Sequence, residues 1–297
     1  MRIGVDLGGT KTELVALDDA GHVCLRRREP TPAGDYPATV ALIATMVRDA
    51  ERQLQVRATV GLGVPGSVSP VTGCMRNANS TCLNDRPFRQ DLEAALGRTV
   101  CLANDADCFA LSEATDGAGA GAPVVFGVIL GTGVGGGIVV DGRLLTGACG
   151  VAGEWGHNPL PSGADTEGVA PPSCYCGRHG CIEAWLSGPG LAADHARTSD
   201  EALSPEHIVS RAAAGDAACE ATLVRHETRL ARALAGVINL LDPHVIVLGG
   251  GLSRLDRLYR NVPRLWTPHV FSDHIATRLC APVHGDASGV RGAAWLR

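Results

Sequence analysis

The fold of this chain is decided near its beginning, by residues 3–17, which read Ile3-Gly4-Val5-Asp6-Leu7-Gly8-Gly9-Thr10-Lys11-Thr12-Glu13-Leu14-Val15-Ala16-Leu17. Two apolar runs flank the glycines, which predicts a strand over residues 3–7, a glycine turn over residues 8–11 and a strand over residues 14–17. A glycine turn lets backbone N–H groups converge on an anion without a Cβ in the way. Ordinary hairpins use the same chemistry, so one such turn is weak support for phosphate binding.

A second stretch repeats this pattern 123 positions later, and its identical pairs are Gly4 with Gly127, Val5 with Val128, Leu7 with Leu130, Gly8 with Gly131 and Asp18 with Asp141. The match is short, and two similar hairpins could produce it by convergence. The alternative is a duplicated α/β unit whose two glycine loops face each other across a cleft.

Helical and strand-like patterns alternate along the rest of the chain, which predicts an α/β fold. The predicted helices are residues 38–54, 88–96 and 217–241, and the predicted strands are residues 59–64, 100–103 and 245–248. Residues 159–173 are rich in Pro, Gly and Ser and are predicted to form a loop.

Composition narrows the class of protein. With 297 residues, of which 45% are hydrophobic, the chain can bury the cores of two domains. A net charge of −5 offers no basic surface for nucleic acid, and no apolar run is long enough to cross a membrane. Eleven cysteines without an export signal indicate reduced thiols and a cytoplasmic protein. The single lysine, Lys11, falls in the first glycine loop, where an ammonium suits phosphate, although genomic base composition also explains a preference for arginine.

Three glycine clusters each follow an apolar run. They are Gly8-Gly9, the stretch over residues 131–137, and Gly249-Gly250-Gly251. Together they indicate a phosphate-binding protein more strongly than one loop could. They have neither the spacing of a P-loop nor the context of a dinucleotide-binding fold, so both of those classes are excluded.

Three cysteines lie within eight residues, at Cys174, Cys176 and Cys181, one loop away from His157. Such a set supplies the four ligands of a closed tetrahedral zinc site, which is structural because no position remains for water. The alternative is a group of reactive or merely buried thiols.

Asp105 follows the strand predicted over residues 100–103, so its carboxylate is expected at the edge of the sheet where α/β proteins bind ligands. It is a candidate general base, although Asn104-Asp105 could instead cap a helix, and both roles are compatible. Candidate sugar-binding side chains, which can donate or accept hydrogen bonds, are Asn79, Asn104, Glu154, His157 and Glu183.

The motifs together resemble the ROK family, named for repressors, open reading frames and kinases. The resemblance covers essentially the whole chain, and its motifs are residues 6–11, 131–137, 154–157, 174–181, 285–286 and 289–294. It implies a duplicated, actin-like (ribonuclease H-like) two-domain sugar kinase fold. The expected domains are residues 1–116 with 285–297, which carry the phosphate loop and the catalytic aspartate, and residues 117–284, which carry the second glycine loop, the zinc site and the adenosine site.

The resemblance also implies roles for individual residues. His157, Cys174, Cys176 and Cys181 would hold zinc, Asp105 would be the base, and Glu154 and Glu183 would bind the sugar. Nucleotide contacts are expected from Asp6, Gly8, Gly9, Thr10, Lys11, Gly131, Thr132, Gly133, Gly250 and Gly251. Asp6 would reach Mg²⁺ through water. Since the nucleotide contacts at Thr10 and Thr132 lie on other loops, we expect loss of zinc to weaken sugar binding and to change nucleotide binding little.

The residues around Asn79 and Glu154 resemble the fructokinases of this family, which predicts fructose as substrate and fructose 6-phosphate as product. Cys82 stands where fructokinases have Trp, and residues 128–137 are more similar to N-acetylglucosamine kinases, so N-acetylglucosamine kinase or glucokinase is the alternative. The family's transcriptional regulators need a DNA-binding domain ahead of the first glycine loop, for which this chain has no room. A sugar-binding module without turnover would not need Asp105 together with three glycine loops. The resemblance further suggests a homodimer.

Overall fold

The computed structural model describes residues 1–166 and 168–297, which form an α/β protein with two mixed five-stranded sheets. This confirms the predicted fold class. The strands are β1 (Arg2–Leu7), β2 (Lys11–Leu17), β3 (Val23–Pro30), β4 (Thr59–Val64), β5 (Ser67–Val68), β6 (Met75–Arg76), β7 (Cys101–Asn104), β8 (Val124–Leu130), β9 (Val134–Val140), β10 (Arg143–Leu144), β11 (Val245–Gly249) and β12 (Arg278–Cys280). The helices are α1 (Tyr36–Leu54), α2 (Phe88–Leu96), α3 (Asp105–Asp116), α4 (Ile182–Leu186), α5 (Gly188–Ser199), α6 (Pro205–Ala213), α7 (Ala217–Leu241), α8 (Asp256–Leu265) and α9 (Ser288–Trp295).

The chain divides into two compact units. Unit 1 comprises Met1–Gly121, Gly137–Ala152 and Pro282–Arg297, and unit 2 comprises Ala122–Gly136 and Gly153–Ala281. The domain boundaries expected from the sequence, at 116/117 and 284/285, stay a prediction.

The sheet of unit 1 has the strand order β3-β2-β1-β4-β7. β1 pairs antiparallel with β2 and parallel with β4, and β4 pairs parallel with β7. Burial on both faces explains why β1 and β4 are almost continuously apolar, since a strand covered on both sides has no polar alternation. The carboxyl ends of β1, β4 and β7 therefore meet at one edge of this sheet.

Helix α9 belongs to unit 1 and packs against α3, β1 and β4. The approach is so close that a Cβ on Gly4 would lie 2.1 Å from the carbonyl oxygen of Val290, so only glycine fits at that position of β1. The segment that leads into α9 is held by the buried carboxylate of Glu113, which accepts hydrogen bonds from the backbone N–H of Val283 (3.0 Å) and the hydroxyl of Ser288 (2.8 Å). α9 is therefore part of the core of unit 1.

The second sheet has the order β10-β9-β8-β11-β12. In both sheets, three strands that are consecutive in the chain are followed by two strands that arrive later by helical crossovers. β11 is parallel to β8 and to β12, as β4 is parallel to β1 and to β7. The shared strand order agrees with the duplicated unit that the sequence repeat indicated.

The predicted helices over residues 88–96 and 217–241 and the predicted strand over residues 59–64 have the observed bounds. The strand β3 was not predicted, because three consecutive arginines obscure its alternation. Arg26 and Arg28 lie on one face of β3, where both donate to Glu13 of β2 at 2.5 Å. In the loop predicted over residues 159–173, the described residues contain only isolated bridges at Pro159 and Ser173. Glu167 of this loop lies outside the described residues.

Within the described residues, no helix is long and apolar enough to span a membrane.

Candidate active site and metal cluster

Two carboxylates of unit 1 lie at the carboxyl edge of its sheet. Asp6 is near the end of β1, and Asp105 follows β7 and begins α3. The parallel registers align Asp6 with Gly63 of β4, and Gly63 with Ala103 of β7. Asp6 and Asp105 are close enough that the charge on Asp105 contributes to the pKa of Asp6.

The environment raises the pKa of both carboxyls. For Asp6, burial is the main cause, the negative charges of Asp105 and Glu13 add to it, and the pKa reaches about 6. For Asp105, reduced hydration raises the pKa although the backbone N–H of Ala106 donates to its Oδ1 at 2.8 Å and works in the opposite direction. A carboxyl with a raised pKa is a better proton acceptor, which suits the role predicted for Asp105.

Asn104 caps helix α3: its Oδ1 accepts from the backbone N–H of Ala106 at 2.9 Å, and its Nδ2 donates to the carbonyl oxygen of Gly66 at 3.1 Å. Of the two roles considered for Asn104-Asp105, Asn104 therefore provides the cap, and the role of Asp105 as general base stays a prediction. The sugar contact predicted for Asn104 stays a prediction, and the side chain has one donor and one acceptor site left for it.

Asn79 is exposed and lines a cavity of about 430 Å³ in unit 1. The first glycine loop contributes Gly9 to the wall of this cavity, and Cys82 lines it as well. The other lining residues are Leu7, Thr39, Ser80, Thr81, Leu83 and residues 31–34. The structure thus places the predicted sugar residue Asn79 beside the predicted phosphate loop.

The first glycine loop is a tight turn in which the backbone N–H of Gly8 donates to the carbonyl oxygen of Lys11 at 3.0 Å. The strand β2 begins at Lys11, which is the last residue of the predicted turn and three residues before the predicted start of the strand. Thr31 stabilises the loop, since its hydroxyl donates to the carbonyl oxygen of Gly8 at 2.8 Å. Gly9, Thr10 and Lys11 are exposed, as a phosphate-binding surface requires.

The other two glycine clusters lie in unit 2, apart from Gly137, which belongs to unit 1. In the second loop, the N–H of Gly131 donates to the carbonyl oxygen of Gly133 at 2.9 Å, and Thr132 is exposed. In the third, Gly250 has a φ of +80°, and a Cβ there would lie 2.4 Å from the carbonyl oxygen of Leu130. Gly250 must therefore be glycine to fit against the end of β8.

The predicted metal ligands converge in unit 2. The candidate donor atoms of His157, Cys174, Cys176 and Cys181 all lie within 4.8 Å of one another. Cys174 Sγ is 3.7 Å from His157 Nδ1, and Cys176 Sγ is 3.6 Å from Cys181 Sγ.

These distances fit zinc. In a tetrahedral site with Zn–S bonds of about 2.3 Å, two sulfurs are separated by about 3.8 Å. The other ring nitrogen of His157, Nε2, lies 3.1 Å from the hydroxyl of Tyr175, which orients the imidazole so that Nδ1 faces the sulfurs. The four residues would hold zinc with no open position, so the metal would be structural.

The protein environment disfavours ionisation of two of the three thiols. Burial raises the pKa of Cys181 to about 12 and also raises the pKa of Cys174, whereas the backbone N–H of Arg178 lowers the pKa of the exposed Cys176. A bound divalent ion stabilises thiolates and removes this cost.

The two glutamates near the cluster differ in their surroundings. Glu154 is exposed, and Glu183 is half-buried. Oε2 of Glu183 accepts a hydrogen bond from the backbone N–H of Val134 at 2.9 Å, and its Oε1 lies 3.9 Å from Sγ of Cys174. The sugar contacts predicted for both glutamates and for His157 stay predictions.

Unit 1 thus brings together Asp6, Asn79, Asn104, Asp105 and the first glycine loop, and unit 2 brings together the metal cluster, Glu154, Glu183 and the other two loops. Sequence reasoning did not identify Val134, Gly188 or Tyr175 as partners of the predicted residues. Val134 donates to Glu183, Tyr175 contacts His157, and the backbone N–H of Gly188 donates to the carbonyl oxygen of Gly131 at 2.8 Å. Val134 and Gly188 act through backbone atoms, so residue type gives no signal for them. Tyr175 lies between two metal ligands, and this position could have identified it.

Comparisons with known proteins agree with this geometry. The sequence profile of the ROK family matches residues 2–297. An N-acetyl-D-glucosamine kinase of Pectobacterium atrosepticum is 40% identical over 299 residues, covering 100% of this chain and 98% of the relative, and one of Pasteurella multocida is 39% identical over 302 residues, covering 100% and 99%.

Two solved structures are similar over nearly the whole chain. A ROK hexokinase from Thermus thermophilus has a TM-score of 0.88 at 31% identity, covering 99% of this chain and 96% of that one. A ROK family glucokinase from Streptomyces griseus, solved with glucose and AMPPNP, has a TM-score of 0.75 at 28% identity, covering 99% and 97%. The chain therefore belongs to the ROK family and has the two-domain, actin-like sugar kinase fold of that family.

Proposed function

We propose that this protein is an ATP-dependent sugar kinase whose preferred substrate is N-acetylglucosamine. The observation that carries the substrate is the identity of about 40% over the whole chain with proteins named N-acetyl-D-glucosamine kinase. Fructose, the first expectation from the sequence, has less support. Cys82 in place of Trp and the similarity of residues 128–137 to N-acetylglucosamine kinases agree with the new assignment.

The chemistry follows from the carboxylates of unit 1. The 6-hydroxyl of the sugar attacks the γ-phosphorus of ATP, a new O–P bond forms, the bond to the bridging oxygen breaks, and ADP leaves. Asp105 takes the proton of the attacking hydroxyl, and its raised pKa makes this transfer easier. Mg²⁺, when bound, neutralises the charge on the phosphates. Asp6 lies near Asp105 and would orient the waters of that ion.

Binding uses the remaining predicted residues. Thr10, Lys11, Thr132 and Gly133 would hold phosphates, and Gly250 and Gly251 would lie beside adenosine. Asn79, Asn104, Glu154, His157 and Glu183 would hold the sugar. The zinc ligands take no part in proton transfer, because a closed site cannot activate water.

The test is a panel of sugars with purified protein, ATP and Mg²⁺, read out as ADP release. The panel contains N-acetylglucosamine, N-acetylmannosamine, glucose, mannose and fructose, and we expect the highest kcat/KM for N-acetylglucosamine. A preference for fructose would restore the first expectation. Failure to phosphorylate any of the five sugars would contradict the kinase assignment. The homodimer, which light scattering would test, and the cytoplasmic location stay predictions.

A further inference from the structure

Residues 131–134 form the turn at the start of the second glycine cluster and are called the second glycine loop below. This loop is held by the chain segment that follows the metal ligand Cys181. Glu183 lies two residues after the ligand Cys181, and its Oε2 accepts from the backbone N–H of Val134 at 2.9 Å. Five residues further on, the backbone N–H of Gly188 donates to the carbonyl oxygen of Gly131 at 2.8 Å. Both ends of the loop are therefore bonded to residues that follow Cys181.

The segment that carries the ligand His157 holds the same region from its other side. Trp155 is buried, packs edge-on against Phe126 of β8, and donates from Nε1 to the carbonyl oxygen of Gly135 at 2.9 Å. Gly156 lies against the strand so closely that a Cβ would be 2.0 Å from the carbonyl oxygen of Val134. The residue beside His157 thus has backbone-to-backbone contact with the loop's last residue.

The metal cluster joins these two segments. His157 comes from the first and Cys181 from the second, and the ligands lie within 4.8 Å of one another. With zinc bound, the two segments have a fixed separation, and the backbone of residues 131–135 lies against both. Without zinc, two backbone hydrogen bonds of 2.8 Å, from Ile182 to Asn158 and from Leu160 to Gly180, still join the segments. The side-chain link at His157 is lost, however, so the positions of Glu183 and Trp155 against the loop are less constrained.

We propose that the Cys₃His cluster sets the conformation of the second glycine loop and that Glu183 is the positioning residue that transmits it. The hydrogen bond from Val134 orients the peptide that follows Gly133, and this orientation decides where the loop's N–H groups point. This inference rests on the proposed function in one respect, because it takes the loop to bind nucleotide phosphates. It replaces our expectation from the sequence that nucleotide binding depends little on zinc.

The first test measures the loop directly and needs no ligand. Amide hydrogen exchange of Val134 is compared in zinc-loaded wild type, Glu183→Ala and Glu183→Gln. Glu183→Ala removes the acceptor, so the exchange rate should rise by about tenfold. Glu183→Gln keeps an acceptor oxygen and should restore protection. Glu154→Ala is the matched control, because Glu154 precedes the other zinc segment, and no side-chain hydrogen bond joins it to the loop among the described residues. It should leave the exchange rate unchanged.

The second test measures MgATP affinity by calorimetry without sugar, with zinc content determined by elemental analysis. Glu183→Ala should weaken binding by about tenfold while keeping its zinc, and chelator-treated wild type should show a similar loss. Zinc removal from Glu183→Ala should add little, because both changes break the same connection. Unchanged Val134 exchange and unchanged MgATP affinity in Glu183→Ala would overturn the inference. If wild type binds no MgATP while the Glu183 variants show the expected exchange pattern, the proposed function is contradicted and the role of Glu183 in holding the loop is supported.

Discussion

Arg229 and Asp194 form an ion pair in the interior of unit 2: Nη1 of Arg229 lies 2.8 Å from Oδ1 of Asp194, and the side chains are 1% and 2% exposed. Asp194 also accepts from Arg225 at 2.8 Å and from Arg197 at 2.5 Å. Burial by itself would raise the pKa of Asp194, but the charge of Arg229 and these hydrogen bonds outweigh it and lower the pKa. The carboxylate is therefore ionised and fully paired.

Asp194→Ala should lower the free energy of unfolding by about 3 kcal/mol, the low end of the range for a broken buried ion pair, because Arg229 stays buried and keeps Asp165, at 2.7 Å, as a carboxylate partner. Arg197→Ala is the control, since Arg197 is 39% exposed and its pair should contribute no more than about 1 kcal/mol. Urea denaturation followed by tryptophan fluorescence measures both. Equal losses in the two variants would contradict the assignment of Asp194 as the buried centre of this network.

The same pair predicts a pH dependence. Because the pKa of Asp194 is lower in the folded state, its stabilising contribution is complete above the unfolded-state pKa of 3.8 and is lost as the pH falls through the folded-state value. The difference in stability between wild type and Asp194→Ala should therefore be constant between about pH 6 and pH 8, well above the unfolded-state pKa, and should shrink in strong acid. A difference that stays constant to the lowest pH would show that packing, not charge, determines the loss.

Asp6→Asn should stabilise the protein at neutral pH. The pKa of Asp6 is raised from 3.8 to about 6, so its ionised form costs the folded state on the order of 3 kcal/mol above pH 6 and nothing well below pH 3.8. In metal-free buffer, Tm of the variant should exceed that of wild type at pH 8, and the gain should decrease toward pH 4. An equal gain at both pH values would show that the charge of Asp6 is not the cause.

Asp105→Asn should reduce kcat by about 10²–10⁴, because it removes the proton acceptor and keeps the size of the side chain. The amide oxygen can still accept from the backbone N–H of Ala106, so the start of α3 should be unchanged. Calorimetric titration with MgATP and with sugar should give dissociation constants close to those of wild type. A variant with activity within a few-fold of wild type would show that another group takes the proton.

Cys176→Ser should lose the zinc that wild type holds at about one ion per chain, because a serine hydroxyl is a poor substitute for a thiolate. Cys176 is exposed, so the substitution removes little packing, and a fall in Tm on the order of 5 °C would come from the metal. Sugar and MgATP affinities should both decrease. Cys149→Ser, an exposed cysteine outside the cluster, is the control and should retain zinc and Tm. Wild-type protein without metal but with full activity would refute the zinc assignment.

The sequence predicted those features that depend on local pattern. The glycine turns, the buried strand β4 and the long helix α7 follow from apolar periodicity and from glycine or proline at the ends of each element. The ligand set His157, Cys174, Cys176 and Cys181 followed from thiol spacing, which restricts the possible metal chemistry. What could not be predicted depends on contacts between distant segments. The bond from Val134 to Glu183 joins residues 49 positions apart through a backbone group that every residue except proline carries.

Substrate preference was the least predictable property. The residues near Asn79 and Glu154 resemble fructokinases, whereas over its whole length the chain is about 40% identical to proteins named N-acetyl-D-glucosamine kinase. A motif of a few residues indicates the phosphoryl-transfer chemistry that these kinases have in common, but not which sugar each one prefers. Discrimination between sugars arises from the shape of the surrounding pocket, to which many side chains contribute small differences.

The position of α9 has a consequence for the order of events during synthesis. Gly4 is translated long before the surface that covers it, which is formed by Val290 and Ala294 of α9. The sheet of unit 1 therefore remains uncovered on that face until α9 has been translated. The elements of unit 2, which end at Ala281, emerge earlier and can pack first. The core of unit 1 can therefore be completed only after all of unit 2 has been translated, although the first strand of unit 1 precedes every residue of unit 2.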